Sequence, residues 1–147
     1  MSTQTASPSQ RNKRTMQSIF TELAQGNGQP FVAAMRDDFE WKISGQGPWG
    51  QRWRGKAAVR QQLFKPLFEQ FAGTYRNVAH AFVADGDTVV VECKGNVQTR
   101  AGQRYDNDYC YVCRFSPEGE LASLTEYMDT ALAERVLDAS QVGPGVR

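Results

Sequence analysis

The stretch TYRNVAHAFVADGDTVVVECKGNVQTRAGQRYDNDYCYVCRFSPEGELASLTEYM, Thr74 to Met128, decides the fold. Apolar and polar residues alternate along it with period two, the pattern of extended chain whose side chains point to opposite faces. Asp85-Gly86, Ala101-Gly102 and Glu118-Gly119 interrupt it, each with glycine second, which is the signal of tight hairpins. Four antiparallel strands are therefore expected, at Thr74 to Ala84, Thr88 to Thr99, Arg104 to Phe115 and Leu121 to Met128, with a C-terminal helix from Thr130 to Leu137 headed by Asp129 as its cap.

If each loop is two residues long and free of bulges, counting back from the turns sets the register. One face then carries the row Ala79, Glu92, Tyr111, Glu126, flanked by Lys94, Tyr109 and Met128 on one side and Val90, Cys113 and Leu124 on the other. The opposite face carries Val78 with Cys93 and Cys110, then His80, Val91, Val112 and Thr125, and Tyr127 beyond. Cys93 and Cys110 come out as direct cross-strand neighbours, expected to stay reduced in a cytoplasmic setting, and His80 as a structural histidine. Both faces are largely apolar and must be covered, so a homodimer through the second face is expected.

Working towards the N-terminus, Met16, Ile19, Phe20, Leu23 and Ala24 recur at helical spacing over Lys13 to Ala24, and Gly26 and Gly28 end the pattern. A short helix over Pro30 to Met35 and a brief strand over Phe39 to Ile43 follow. Ser44 to Gly55, with Trp49 and Trp53, reads as a long loop too aromatic for a plain linker. Val59, Leu63, Phe64, Leu67, Phe68 and Phe71 make Lys56 to Phe71 an amphipathic helix that Pro66 should kink or divide. Helices precede strands without βαβ alternation, so the class is α+β, with helices packed on one face of a curved sheet. One domain is expected over residues 12–138, between a polar disordered tail at 1–11 and a flexible one at 139–147.

The 147 residues carry 17 Lys and Arg against 16 Asp and Glu, a net charge of +1 that gives no basic excess for nucleic acid or an acidic membrane surface. No apolar run approaches the length of a membrane span and Met1 to Ser9 lacks the apolar core of a secretory signal, so a cytoplasmic address is expected. Three cysteines and the single His80 supply too few ligands for an ordinary zinc site, and neither metal nor cofactor is expected.

Asp37 to Trp41, Gly47 to Gly55, Tyr105 to Cys110, and Gly119 to Leu121 with Glu126 to Thr130 give the chain a resemblance to the NTF2-like superfamily, in particular its SnoaL-like and ketosteroid-isomerase-related members. The resemblance spans about Lys13 to Leu137. It implies a cone of bent antiparallel sheet and helices around a blind apolar pocket, usually in a dimer. The superfamily holds isomerases, polyketide cyclases, epoxide hydrolases, dehydratases and proteins that only bind ligands or assemble complexes. Where ketosteroid isomerases place their proton-abstracting Asp, this sequence has Ile43, and Tyr111 stands where their second acid donates to the oxyanion. Glu126 takes the place of a catalytic Asp in the epoxide hydrolases of this fold. Glu92, Cys93 and Lys94 stand where those hydrolases carry an Arg and an Asp.

These readings converge on Glu126 as general acid or base, since a carboxyl facing an apolar pocket has its charged form disfavoured and its pKa raised. Glu92, about 9–10 Å away by interstrand spacing, is expected as its partner and Tyr111 as hydrogen-bond donor. Tyr109, Trp41, Trp49, Trp53, Asn107 and Met128 are expected to contact the ligand, a small hydrophobic molecule. The expected activity is cofactor-independent acid-base chemistry of isomerase, cyclase, dehydratase or hydrolase type. The alternative is a non-catalytic binding or interaction module of the same fold.

Overall fold

A computed structural model describes residues 6–146. α1 spans Pro8–Leu23, opened by a reciprocal capping box in which Ser7 accepts from the Gln10 backbone and Gln10 reaches back to Ser7. Residues 8–11 are thus helical, a correction to the expected disordered tail, of which residues 1–5 lie outside the described residues. The buried stripe Met16, Ile19, Phe20 and Leu23 packs α1 across the sheet. α2 covers Gln29–Ala34 and runs straight into β1, Met35–Ile43, which is longer than expected and includes Asp37 and Asp38 on exposed positions.

The expected loop at 44–55 hides a short edge strand, β2, Arg52–Arg54, paired with β1. The expected Lys56 to Phe71 helix is divided as Pro66 demands: α3 at Lys56–Ala58, a π-helical turn at Val59–Phe64, and α4 at Lys65–Phe68. Pro66 has no N–H for the Gln62 carbonyl four residues back, and the Gly143 N–H donates to that carbonyl instead at 2.7 Å. Phe71 belongs to the sheet, not to the helix.

β3 (Phe71–Asp85), β4 (Thr88–Thr99), β5 (Asp108–Phe115) and β6 (Leu121–Met128) form the expected meander. The sheet has six strands in the order β2-β1-β6-β5-β4-β3, curved and unclosed, with β1 parallel to β6. α5 spans Thr130–Val136, and Asp129 caps it by accepting from the Leu132 N–H at 3.2 Å.

The C-terminal segment is also a correction. A short helical turn at Ala139–Gln141 leads to buried Val142, and Val146 exchanges two 2.8 Å backbone bonds with Arg52. Residues 139–146 therefore close the β2 edge, and the Gln70 side chain holds the Asp138 backbone on both its N–H and its carbonyl.

The register differs from the simple count where the turns differ. At the β4–β5 connection Thr99 and Gln103 close a three-residue loop: Thr99 O accepts from Gly102 N–H, Thr99 N–H donates to Gln103 O, and Gly102 takes φ +89°. That extra loop residue pairs Val91, not Glu92, with Tyr111 and sends Glu92 to the outer face. The β3–β4 loop is Gly86-Asp87, and a bulge at His80 shifts the register again, leaving His80 exposed. At β5–β6 the loop is also one residue longer than assumed, but a bulge beside Phe115 restores the count, so Tyr111 does pair with Glu126. Cys93 faces inward opposite Tyr109 and Cys110 faces outward opposite Glu92, so these two thiols are not direct neighbours. Cys110 and Cys113 form a Cys-x-x-Cys sequence, yet three residues apart on extended chain they point to opposite faces.

Candidate active site

The concave face of the sheet, α2 and the α3–α4 region enclose a cavity of about 730 Å³. The inward rows explain its chemistry. Ile43 on β1 pairs with Glu126 on β6, which pairs with Tyr111 on β5, then Val91 on β4 and Phe82 on β3. One step along lie Met128, Tyr109, Cys93 and Ala79. Ile43, in the place of a base in the isomerases of the resemblance, thus sits directly beside the strand that does carry an acid.

Glu126 is buried, and its Oε1 accepts a 3.0 Å bond from Trp41 Nε1. Burial pushes its carboxyl up to about 7, and the Trp41 bond opposes that shift only in part. The phenols form a connected group. Tyr75 OH donates to Tyr109 OH at 3.1 Å, and Asn77 Nδ2 donates to Tyr75 OH and Tyr111 OH, both at 3.4 Å. Burial raises Tyr75, Tyr109 and Tyr111 well above the ordinary phenol range and Tyr105 to about 12, so all four stay protonated donors at neutral pH. Two buried polar atoms facing this region have no partner among the described residues: Asn77 Oδ1, an acceptor, and Trp49 Nε1, a donor.

Of the residues expected from sequence, Glu126, Tyr111, Tyr109, Trp41, Trp49 and Met128 line the cavity. Three do not. Glu92 is exposed on the outer face, because the β4–β5 loop has one more residue than the count assumed. Trp53 is buried beneath the C-terminal segment and donates to the Gly143 carbonyl at 3.1 Å. Asn107 clamps the start of α5, accepting from the Asp129 N–H and donating to the Asp129 carbonyl and Tyr105 OH. The lining residues not expected include Tyr75 and Asn77. Their signal was present, since both share the parity of Ala79 on β3, which the count had placed inward.

A curved, unclosed, mostly antiparallel sheet wrapped around an aromatic cavity, with one buried acid among the described residues, defines an NTF2-like protein. Residues 16–124 match the SnoaL-like domain, and the chain belongs to that family. Solved structures agree on the fold. Bal32a, from a soil-derived mobile gene cassette, is 18% identical with a TM-score of 0.76, over 89% of this chain and 99% of that one. BvnE pinacolase from Penicillium brevicompactum is 15% identical with a TM-score of 0.75, over 91% and 93%. An NTF2-like protein from Burkholderia xenovorans LB400 is 22% identical with a TM-score of 0.66, over 88% and 98%. No curated protein matches the sequence.

Proposed function

We propose that this protein binds a small, largely apolar molecule in its cavity and catalyses cofactor-independent acid-base chemistry on it, with Glu126 moving the proton and Tyr111 donating to the developing oxyanion. The observation that carries the reading is the Glu126 carboxyl, buried among aromatic rings with one hydrogen bond and a pKa near 7. A group so poised is half ionised at neutral pH and serves equally as acid or base. With Glu92 on the outer face, Glu126 is the only carboxyl lining the cavity among the described residues. That favours reactions in which one group takes a proton and returns it, namely isomerisation, cyclisation or dehydration, over hydrolysis by separate acid and base residues. The likeness in fold to a pinacolase is compatible with this and identifies no substrate.

A cytoplasmic homodimer joined through the outer sheet face, where Tyr127 and Val78 are about half exposed, accompanies this reading. The rival, a ligand carrier without turnover, draws support from the phenol network, whose hydroxyls are bonded to one another and to Asn77. The test is a panel of enones, vicinal diols and β-hydroxy ketones offered to wild type and Glu126→Gln. Turnover by the wild type that the variant loses supports catalysis, whereas tight binding with no turnover by either supports the carrier.

A further inference from the structure

The charges of the cavity are unevenly placed. Besides Glu126, its charged lining residues are Lys56 and Arg60, both cationic and four residues apart on the same helical stretch. Arg60 is exposed and Lys56 half-buried, so they stand at the rim, whereas Glu126 is at the floor of the sheet. Among the described residues no ion pair engages either cation. Lys56 Nζ has only a long, 3.4 Å bond to the Met35 carbonyl. The cavity also has an aromatic wall with one exposed edge: Phe68, 42% exposed, lies 5.6 Å from Tyr75 between ring centroids, and Tyr75 stacks on Phe71 at 5.4 Å. Farther in, Trp41 meets Phe64 and Tyr111 edge-on at 5.3 and 5.5 Å.

We propose that the ligand is an amphiphilic carboxylate, a flat apolar body seated against the aromatic wall with its anionic end held at the rim by Lys56 and Arg60. Charges of one sign at the mouth of a low-dielectric cleft focus their field into it and select ligands of the opposite sign. Arg offers two parallel N–H donors to a carboxylate, and Lys a mobile point charge beside it. The carboxylate end stays at the rim because the floor already holds an acid, whose own ionisation disfavours a second negative charge there. The inference rests on the proposed function only in using the same cavity, since a carrier would select the same ligand.

The probes are 1-pyrenebutyrate and its neutral counterpart 1-pyrenebutanol, titrated by energy transfer from the tryptophans at pH 6, where Glu126 is mostly protonated. The carboxylate should bind at least about tenfold more tightly than the alcohol, and the advantage should shrink as salt is raised. Arg60→Gln, at an exposed position, should reduce the advantage by about threefold, and the double variant Lys56→Gln/Arg60→Gln to within about twofold, with affinity for the alcohol unchanged. Glu126→Gln should keep the full preference, so a missing preference counts against the anion site while lost turnover bears on catalysis alone. Equal binding of the two probes, binding of neither, or an undiminished preference in the double variant overturns the proposal. 1-Pyrenyl phosphate binding more tightly than 1-pyrenebutyrate would overturn the carboxylate assignment in favour of a phosphate ligand.

Discussion

Trp41 on β1 donates its indole N–H to Glu126 on β6 at 3.0 Å, across two parallel neighbouring strands. The bond fixes one carboxyl oxygen against the sheet and is the only hydrogen-bond partner of that side chain among the described residues. It also holds the pKa of Glu126 below the value that burial alone would set.

Trp41→Phe removes that donor and keeps most of the ring. The Glu126 carboxyl should then titrate above 7, and carbon NMR of the glutamate carboxyl would follow it. A midpoint unchanged or lower would show that the bond does not stabilise the charged form. Losing a buried partner should also cost about 1–3 kcal/mol of stability, most at pH 8 where Glu126 is ionised.

Glu126 makes stability depend on pH in a defined direction. Its folded pKa of about 7 lies above its ordinary 4.5, so between these values the unfolded chain has released a proton that the folded chain keeps. Stability from this group is fully present below about pH 4.5, declines as pH rises, and levels off above about 7, a total on the order of 3 kcal/mol. Glu126→Gln should remove that dependence, so that the variant gains on the wild type in urea melts as pH is raised from 4.5 to 8. A constant difference across that range would contradict the assignment.

On an identified substrate Glu126→Gln should lower kcat by roughly 10² to 10⁴, the usual cost of losing a general acid or base, while ligand binding persists. Glu92→Gln should change neither, because Glu92 lies on the outer face. A comparable loss of kcat in the Glu92 variant would show that the outer face takes part.

Tyr127→Asp tests the dimer. The wild type should sediment as a dimer at micromolar concentration and the variant as a monomer, with the helical content of both unchanged. A monomeric wild type would remove the dimer reading.

Peptide mapping of protein isolated without reductant should find Cys93 and Cys110 as separate thiols. They lie on adjacent strands but face opposite sides of the sheet, where no disulfide can join them without turning a strand. A Cys93–Cys110 disulfide would contradict the register.

The sequence alone determined the α+β class, five of the six strands, with β1 only from Phe39 onward, the Asp129 cap and the inward place of Glu126 beside Tyr111. These rest on local signals: period-two alternation, glycine turns and a short count across one hairpin. Two departures in that hairpin, a longer loop and a bulge, cancelled each other. The β4–β5 hairpin had a longer loop with no bulge to compensate, and because strand periodicity is two, one residue moved Glu92 from the cavity to the outer face. Whether glycine ends a two-residue or a three-residue loop is settled by which backbone N–H groups find carbonyls once the strands pair, and that is not written in the residue types. The parallel pairing of β1 with β6, and with it the Trp41 bond to Glu126 across 85 residues of chain, came only from tertiary packing. The C-terminal segment looked like a tail because its own composition has little to bury, and it is ordered by what β2 and Pro66 leave unpaired: an edge strand's backbone and one helical carbonyl.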